Sequence, residues 1–390
     1  MNREILLTIL IAFITLNINA QYTEEFYFTI DSEHMEEERN IWVSLPKYYN
    51  QNKYDCHTLY VLDGDSYRSG ETFRAIRNEL FESGGYIEPL IIVGIEQKRR
   101  SYELSPYGKT GAKFSAFLSN EVIPLIDSKF QTNGNRIIAG HSLGGYYALH
   151  IWMTNKDINS CLAFSPAIFN KEGKIIDDIN EYLTTNQPSG TIYINNGTDS
   201  HVEKRIKKYI PELLKVFETK LDNSEMLQYK EYLGHGHNFT PIVGLTDGLL
   251  HHFSFYQFDD ETITKLWAKE LHPIPTYQKR YGEIDKWAGR TVERDNDLFN
   301  NLASHYLNTQ DTLKALKLID YAIELDSTDA FSYMTKGEIL MDLDKKQARE
   351  SLIRSLILLK PENVFESTKN FREYEFWKGN IEELLRKIDE

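Results

Sequence analysis

Short strand-like runs and longer segments with a helical spacing of apolar positions alternate along the first two thirds of the chain. The strand-like runs cover residues 25–30, 40–45, 57–62, 89–95, 136–139, 159–164, 190–195 and 228–233. Helical patterns lie between them, over residues 70–83, 113–130 and 146–153. Apolar strands separated by amphipathic helices are typical of a parallel sheet that helices cover on both faces. The pattern therefore predicts the α/β class, with a doubly wound, mostly parallel sheet.

The rest of the chain has a different character. Residues 259–294 carry many charges and two prolines, and we interpret them as a connecting segment. Residues 295–390 are helical in pattern and repeat at an offset of 34 residues, which pairs Ala303 with Gly337 and Tyr306 with Leu340. This offset is the tetratricopeptide period, although a solenoid needs about three units. A helical cap and a groove for a protein partner are both compatible with such a region.

The first 20 residues have the pattern of a secretory signal. Arg3 supplies the positive start, residues 5–16 form an apolar core, and Ala20 stands at the expected cleavage position. The apolar run is too short to span a membrane comfortably. We therefore expect an exported protein, periplasmic or secreted, with no membrane-spanning segment in the mature chain and one large domain over residues 21–258.

One stretch carries the strongest chemical signal. Residues 140–144, Gly-His-Ser-Leu-Gly, match G-x-S-x-G between a strand-like run and a helical segment. A serine on such a strand-to-helix turn is exposed as a nucleophile, and the small neighbours tolerate the strained backbone. The N-terminal amides of the following helix point at the developing negative charge. The motif predicts Ser142 as a catalytic nucleophile, with His141 as a wall of the site.

The partners of this serine should follow later strands in the order Ser, acid, His. Asp199 lies just after the run 190–195 and is the predicted acid, with Glu203 as its rival. After the run 228–233, His235 and His237 compete for the role of base, and we favour His237 because an apolar segment follows it. A serine becomes a good nucleophile when an imidazole takes its proton, and a carboxylate holds that imidazole in one tautomer.

The oxyanion hole requires two backbone N–H groups. One is predicted from Leu143, the residue after the nucleophile, and the other from the loop after an early strand, at Gly64 or Asp65. Neither Asp63 with Asp65 nor His201 with His235 and His237 completes a metal ligand set, so we expect no metal.

Composition excludes one class of partner. The chain has 58 acidic and 44 basic residues and a formal net charge of −14, which argues against binding to nucleic acid. The two cysteines, Cys56 and Cys161, are compatible with one disulfide in an oxidising compartment or with two buried thiols.

Several segments together resemble the putative-esterase (esterase D-like) family, and within it the branch of siderophore-ester hydrolases of the enterobactin and salmochelin type. They are the segments 59–65, 100–106, 140–145, 164–166 and 236–239, in a resemblance that spans residues 25–258. It implies an α/β-hydrolase fold and ester hydrolysis without a metal or organic cofactor, with Ser142 as nucleophile and His237 as base. Some siderophore esterases use a Ser–His pair, so the resemblance leaves open whether Asp199 is required. It also implies that Arg100 belongs to a substrate-side loop, although residues 98–100 also read as a solvated charge run.

The sequence therefore predicts an exported serine hydrolase that acts on a small-molecule carboxylic ester through an acyl-enzyme. Acetylated or feruloylated carbohydrates and small thioesters are alternative substrates. A catalytically silent hydrolase fold, whose repeat tail recruits a protein partner, is the alternative from another class.

Overall fold

The structure, a computed structural model, describes residues 24–47, 49, 55–65, 67–82, 86–288, 291, 292, 294, 296–360 and 370–389. The predicted signal peptide, residues 1–20, lies outside the described residues. The chain divides into two compact units, and the division falls between Tyr256 and Gln257. The predicted boundary after residue 258 lies two residues further along the chain.

The first unit contains a single eight-stranded sheet. Its strands are β1 (Glu25–Ser32), β2 (Glu37–Ser44), β3 (Cys56–Leu62), β4 (Leu90–Ile95), β5 (Thr132–His141), β6 (Ser160–Phe164), β7 (Ile192–Gly197) and β8 (Leu227–Tyr232). Their order across the sheet is β1-β2-β4-β3-β5-β6-β7-β8. β2 pairs antiparallel with β1 and β4, and the other neighbouring pairs are parallel. The predicted α/β class with a mostly parallel sheet is confirmed.

Helices connect the strands of this unit. They are α1 (Tyr67–Glu82), α2 (Arg100–Glu103), α3 (Lys109–Phe117), α4 (Ile123–Lys129), α5 (Leu143–Thr154), α6 (Lys174–Thr185), α7 (His201–Lys207), α8 (Ile210–Lys220) and α9 (Thr240–Ser254). Short 3₁₀ turns cover Asn170–Gly173, Ser224–Met226 and His237–Phe239.

Burial explains which strands read as continuous apolar runs. Every residue of β3 and β4 is buried, because parallel strands in the middle of such a sheet are covered on both faces. β8, at one edge, is only partly covered and reads as an alternating strand. α5 packs on β5 and β6 and is buried on nearly all sides, so its sequence is apolar around the whole circumference. The helix that follows the predicted nucleophile is thus fixed by the core.

The helix predicted over residues 113–130 is not one continuous α-helix. A π-helical segment, Leu118–Val122, separates α3 from α4. Pro124 lies in the first turn of α4 and has no N–H to donate to the preceding turn. A widened turn at this point lets the helix continue without that hydrogen bond.

The second unit is helical. Its helices are α10 (Asp260–Trp267), α11 (Pro273–Ala288), α12 (Asp297–Asn308), α13 (Thr312–Leu325), α14 (Ala330–Leu340), α15 (Lys345–Leu358) and α16 (Asn370–Asp389). The predicted connecting segment 259–294 therefore contains two helices of its own. Pro273 does not break a helix, because it is the first residue of α11, where a proline has no hydrogen bond to lose.

The repeat predicted in this unit appears in its burial. α12 packs against α13, and α14 packs against α15. The buried residues of α13 are Ala315, Leu318, Ile319 and Ala322, and those of α15 are Ala348, Ser351, Leu352 and Ser355. The two sets match at an offset of 33 positions, one fewer than the sequence alignment indicates. The tetratricopeptide assignment itself stays a prediction.

The two cysteines are both buried and do not form a disulfide with each other. Cys56 begins β3 and Cys161 lies in β6. Burial raises the pKa of the Cys161 thiol, since a thiolate is disfavoured away from water. Of the two alternatives left open by the sequence, the structure has two buried thiols.

Candidate active site

Ser142 lies on a sharp bend between β5 and α5, as the strand–turn–helix prediction requires. Its backbone has φ 58° and ψ −113°, a left-handed conformation that costs a residue with a side chain about 1–3 kcal/mol. Surrounding hydrogen bonds hold it there. Its N–H donates to the Phe164 carbonyl at 2.9 Å, and its carbonyl accepts from Ala167 N at 2.9 Å. The side chain is thereby presented at the end of the sheet.

Gly140 permits the tight contact between strand and helix. A Cβ added at this position would lie 2.3 Å from the Gly144 carbonyl oxygen, far inside van der Waals contact. A residue with a side chain would therefore push α5 away from β5. The glycine requirement of the motif is a requirement for close backbone approach.

His237 follows β8 and shares its pocket with Ser142. Its Nδ1 lies 2.5 Å from Oε1 of Glu203, whose side chain is fully buried. The other carboxylate oxygen accepts a hydrogen bond from the Gly197 N–H at 2.7 Å. A carboxylate can only accept, so Nδ1 of a neutral imidazole carries the proton and Nε2 keeps its lone pair. The arrangement is the one that a general base requires.

The prediction that Asp199 holds this imidazole is wrong, because Glu203 takes that place. Asp199 is exposed, and its backbone N–H donates to the His235 carbonyl at 3.1 Å. His235, the rival base, is partly buried, with Nδ1 2.9 Å from the Leu233 carbonyl. The preference for His237 over His235 agrees with the position of Glu203.

The sequence contains a signal for Glu203 that suggests another role. Ser200 and Glu203 have the S-x-x-E spacing of a capping box, in which the glutamate reaches back to the N-cap amide. Ser200 does cap α7, since its Oγ accepts from Glu203 N at 3.1 Å. The Glu203 carboxylate, however, binds His237 and Gly197. The local pattern places the helix start correctly and cannot reveal the long-range partner.

The prediction that Gly64 donates its backbone N–H to the oxyanion is wrong. For Leu143 and Asp65 the same role stays a prediction. The Gly64 N–H donates to the Ile95 carbonyl at 2.8 Å, so it is not available to a substrate oxygen. A Cβ at Gly64 would lie 2.4 Å from Ile95 N, which explains the glycine by packing. Leu143 is the first residue of α5, and Asp65 lies on the pocket wall. Their amides stay candidates.

The pocket has a volume of about 440 Å³. It is lined by Val61, Leu62, Asp63, Asp65, Phe73, Arg100, Gly140, His141, Ser142, Phe164, His237, Asn238 and Pro241. Phe73 and Pro241 lie on α1 and α9, and no local sequence signal marks them as site residues. Phe164 and Asn238 fall inside segments on which the family resemblance depends, so that resemblance could have identified them as site residues.

His141, predicted as a wall residue, lines the pocket and also holds the loop that carries His237. Its Nε2 lies 2.9 Å from the His237 carbonyl, and the two rings are 4.4 Å apart. Because a carbonyl only accepts, Nε2 carries the proton. Thr240 Oγ1 donates to the same carbonyl at 3.0 Å. The backbone of His237 is therefore held from two sides.

Arg100, predicted to contact substrate, lies at the pocket with its guanidinium engaged by the protein. It forms a bidentate pair with Asp63, at 2.6 Å for Nε–Oδ1 and 2.8 Å for Nη2–Oδ2. Its Nη2 also donates to the His141 carbonyl at 3.2 Å. The neighbouring Arg99 side chain is exposed and reaches Glu37. Residues 98–100 are thus only partly a solvated charge run.

Two features are absent from the described part of the chain. Within it, His, Cys, Asp and Glu side chains do not gather in a group of three that could hold a metal ion. Among the helices described here, none has the length and apolar character needed to cross a membrane.

The chain is similar in sequence to known esterases. The sequence pattern of the Putative esterase family matches residues 32–259. The ferri-bacillibactin esterase BesA of Bacillus subtilis is 24% identical over 184 residues, which are 45% of this chain and 61% of BesA. The chain thus matches less than two thirds of this relative.

Solved structures share the fold. An IroE-like serine hydrolase from Shewanella oneidensis superposes with a TM-score of 0.60 at 19% identity, covering 74% of this chain and 95% of that one. An uncharacterised protein from Capnocytophaga ochracea has a TM-score of 0.66 at 16% identity, over 92% of this chain and 99% of that one. Because the match to the Capnocytophaga protein covers 92% of this chain, it extends beyond the first unit, which ends at Tyr256.

Proposed function

Since the chain belongs to the Putative esterase family, we propose that it is a serine hydrolase that cleaves carboxylic esters through Ser142, His237 and Glu203. One observation carries the proposal. The buried Glu203 carboxylate contacts His237 Nδ1 at 2.5 Å, and His237 lines the same pocket as the strained Ser142. A structural histidine has no need of a buried, doubly hydrogen-bonded carboxylate, which is costly to desolvate unless it is paired.

In the first half of the reaction, Ser142 Oγ attacks the ester carbonyl carbon while His237 Nε2 takes its proton. Glu203 stabilises the resulting imidazolium and keeps the ring in place, and it does not itself take the proton. The carbon–alkoxide bond then breaks, and His237 returns the proton to the departing alcohol. An acyl-enzyme on Ser142 results.

In the second half, a water molecule takes the place of the alcohol. His237 accepts a proton from the water as its oxygen attacks the acyl carbon, and it then returns the proton to Ser142 Oγ as the acid product leaves. Both tetrahedral intermediates carry a negative oxygen. We assign its stabilisation to the N–H groups of Leu143 and Asp65, helped by the N-terminus of α5.

Siderophore esters are the substrate class that we propose. The support is the likeness to BesA, whose name describes a ferri-bacillibactin esterase. The pocket supports a polar ester, because Asp63, Asp65 and Arg100 line it beside the apolar Phe73 and Phe164.

The test is hydrolysis of p-nitrophenyl acetate and of a panel of ferric siderophore esters by the wild type and Ser142→Ala. We expect the wild type to turn over both, and Ser142→Ala to lose about 10⁴-fold or more in kcat because the nucleophile is gone. Acylated sugars and small thioesters in the same panel test the alternative substrates. Equal, negligible rates for both proteins would refute the proposed esterase activity and favour a catalytically silent hydrolase fold.

We also propose export of the chain and a partner-binding role for its helical unit. The support for export is the charged and apolar pattern of residues 1–20. An N-terminus at Gln21 in protein recovered from outside the cytoplasm is the expected finding.

For the helical unit, the support is the repeated burial of α13 and α15. In a pull-down, the full chain should retain a protein partner that the chain without residues 257–390 loses. The same bound proteins in both cases would refute the partner-binding role.

A further inference from the structure

Arg100 connects two strand ends that border the pocket of Ser142. Asp63 is the first residue after β3, and its carboxylate receives Nε and Nη2 of Arg100 at 2.6 and 2.8 Å. The carbonyl of His141, the last residue of β5, receives Nη2 at 3.2 Å. One planar guanidinium thus joins the ends of two neighbouring parallel strands.

These two strand ends carry the two candidate oxyanion donors. Asp65 comes two residues after Asp63, and Leu143 comes two residues after His141. Both sides are under local strain, since Asp63 and Ser142 each have φ 58°. An added Cβ at Gly144 would lie 3.1 Å from Asp63 Oδ2, so the Asp63 carboxylate already lies against the first turn of α5. If the N–H groups of Leu143 and Asp65 form the oxyanion hole, the distance between them depends on the separation of the strand ends at His141 and Asp63.

The loop that supplies Arg100 is itself anchored in the core. Glu103, one turn along α2, is fully buried and pairs with the fully buried Arg39 at 2.8 Å. The same carboxylate accepts from the Arg99 backbone N–H at 2.9 Å. Arg39 also donates to the Glu96 carbonyl at 2.6 Å. The backbone on both sides of Arg100 is therefore held, and only its side chain spans the gap.

We propose that Arg100 is a positioning residue that sets the spacing of the oxyanion hole by clamping Asp63 to the His141 carbonyl. This inference rests on the proposed esterase function. It replaces the substrate-binding role that the resemblance implies for Arg100. Because a lysine ammonium cannot match the two carboxylate oxygens and the carbonyl in one plane, the positive charge alone does not suffice.

The experiment compares Arg100→Lys, Arg100→Gln and Asp63→Asn with the wild type on two esters of different charge. The neutral ester is p-nitrophenyl acetate and the anionic one is mono-p-nitrophenyl succinate. A shift of the oxyanion donors lowers the rate of the chemical step, so we expect kcat to fall about 10- to 100-fold for both esters in all three variants, with KM within about threefold. The double variant Arg100→Gln/Asp63→Asn should be no slower than the single ones, because both break one clamp.

Arg99→Gln is the matched control. Its side chain is 56% exposed and points to Glu37, so this variant should keep the wild-type kcat on both esters. Melting temperature and circular dichroism of each variant show that the fold is retained. If Arg100→Gln fails to fold, Arg100→Lys and Asp63→Asn still decide the question, since each removes the same bridge while keeping most of the side-chain volume.

Two outcomes would overturn the clamp. A rise in KM for the anionic ester alone, with Arg100→Lys close to wild type, would show that Arg100 binds substrate by charge. Wild-type kinetics in all three variants would show that the spacing does not depend on the bridge.

A second readout separates this inference from the proposed function. The rate at which a neutral alkyl fluorophosphonate labels Ser142, followed by mass spectrometry, depends on the oxyanion hole and not on ester turnover. Labelling of the wild type with no hydrolysis of any ester would sink the proposed function. The clamp would still predict labelling about 10- to 100-fold slower in the Arg100 and Asp63 variants, and equal labelling rates would refute it.

Discussion

Two histidines near opposite ends of the same sheet have very different surroundings. His237 lies at the carboxyl end, where Nδ1 meets the Glu203 carboxylate and the ring borders an open pocket. His252 lies at the other end, with Nδ1 2.9 Å from Thr191 Oγ1 and 3.2 Å from Ser160 Oγ, and is 1% exposed. Both places combine a histidine with a serine.

The difference distinguishes the proposed catalytic serine and histidine from a serine and histidine that pack in the core. Ser160 begins the regular strand β6, whereas Ser142 lies on a bend with φ 58°. Nδ1 of His237 faces a carboxylate that stabilises a positive ring. Nδ1 of His252 faces hydroxyls, and burial lowers the pKa of His252 to about 3, so that it stays neutral. A strained serine, a carboxylate and an opening distinguish the candidate site.

The sharpest test of the comparison removes each imidazole in turn. His237→Ala should lower kcat for p-nitrophenyl acetate by about 10⁴-fold or more, because the serine loses its base. His252→Asn should keep kcat within about threefold, since its ring lies at the far end of the sheet. A loss of activity in His252→Asn, with the folded state intact by circular dichroism, would break the distinction.

A smaller effect is expected from the acid. Glu203→Gln should reduce kcat by about 10²- to 10⁴-fold, because the amide can favour the wrong imidazole tautomer and cannot stabilise the imidazolium. Asp199→Asn is the matched control and should retain near-wild-type rates, as Asp199 is exposed. The reverse pattern, with Asp199→Asn inactive and Glu203→Gln active, would restore the acid predicted from sequence.

The smallest effect concerns stability and pH at the His252 end. Unfolded histidine titrates near pH 6.5, whereas folded His252 has a pKa of about 3. Between these values the unfolded chain binds a proton that the folded chain does not, so stability falls as the pH drops from about 6.5 and this contribution is absent above pH 7. The rings of His57 and Tyr256 and the neighbouring His251 surround this group.

We therefore expect the free energy of unfolding of the wild type to fall more steeply than that of His252→Asn, by roughly 1 kcal/mol per pH unit between pH 6 and pH 4. Denaturant titrations at several pH values measure the two slopes. Parallel slopes would mean that His252 also binds a proton in the folded protein over this pH range.

The sequence was most informative where the chemistry is local. The G-x-S-x-G elbow between a strand and a helix follows from neighbouring residues, because strain at Ser142 and close approach at Gly140 are properties of one short segment. Glu203 and His237 follow Ser142 in the chain order predicted for the acid and the base, and these roles stay a proposal. The choice of the carboxylate that meets His237 was wrong, since Asp199 and Glu203 lie four residues apart and both follow β7.

Periodicity and motif by themselves predicted the α/β class and the strand–turn–helix bend at Ser142, because burial of strands and strain at a turn act over a few residues, and the resemblance of several segments indicated the family. The tertiary structure alone decided that Glu203 meets His237 across 34 residues and that Arg100 meets Asp63 across 37. Such contacts depend on how helices and loops are rotated over the sheet. Asp199 precedes α7 and is exposed, whereas Glu203 lies in the first turn of α7 and reaches the imidazole, and no local pattern records that placement.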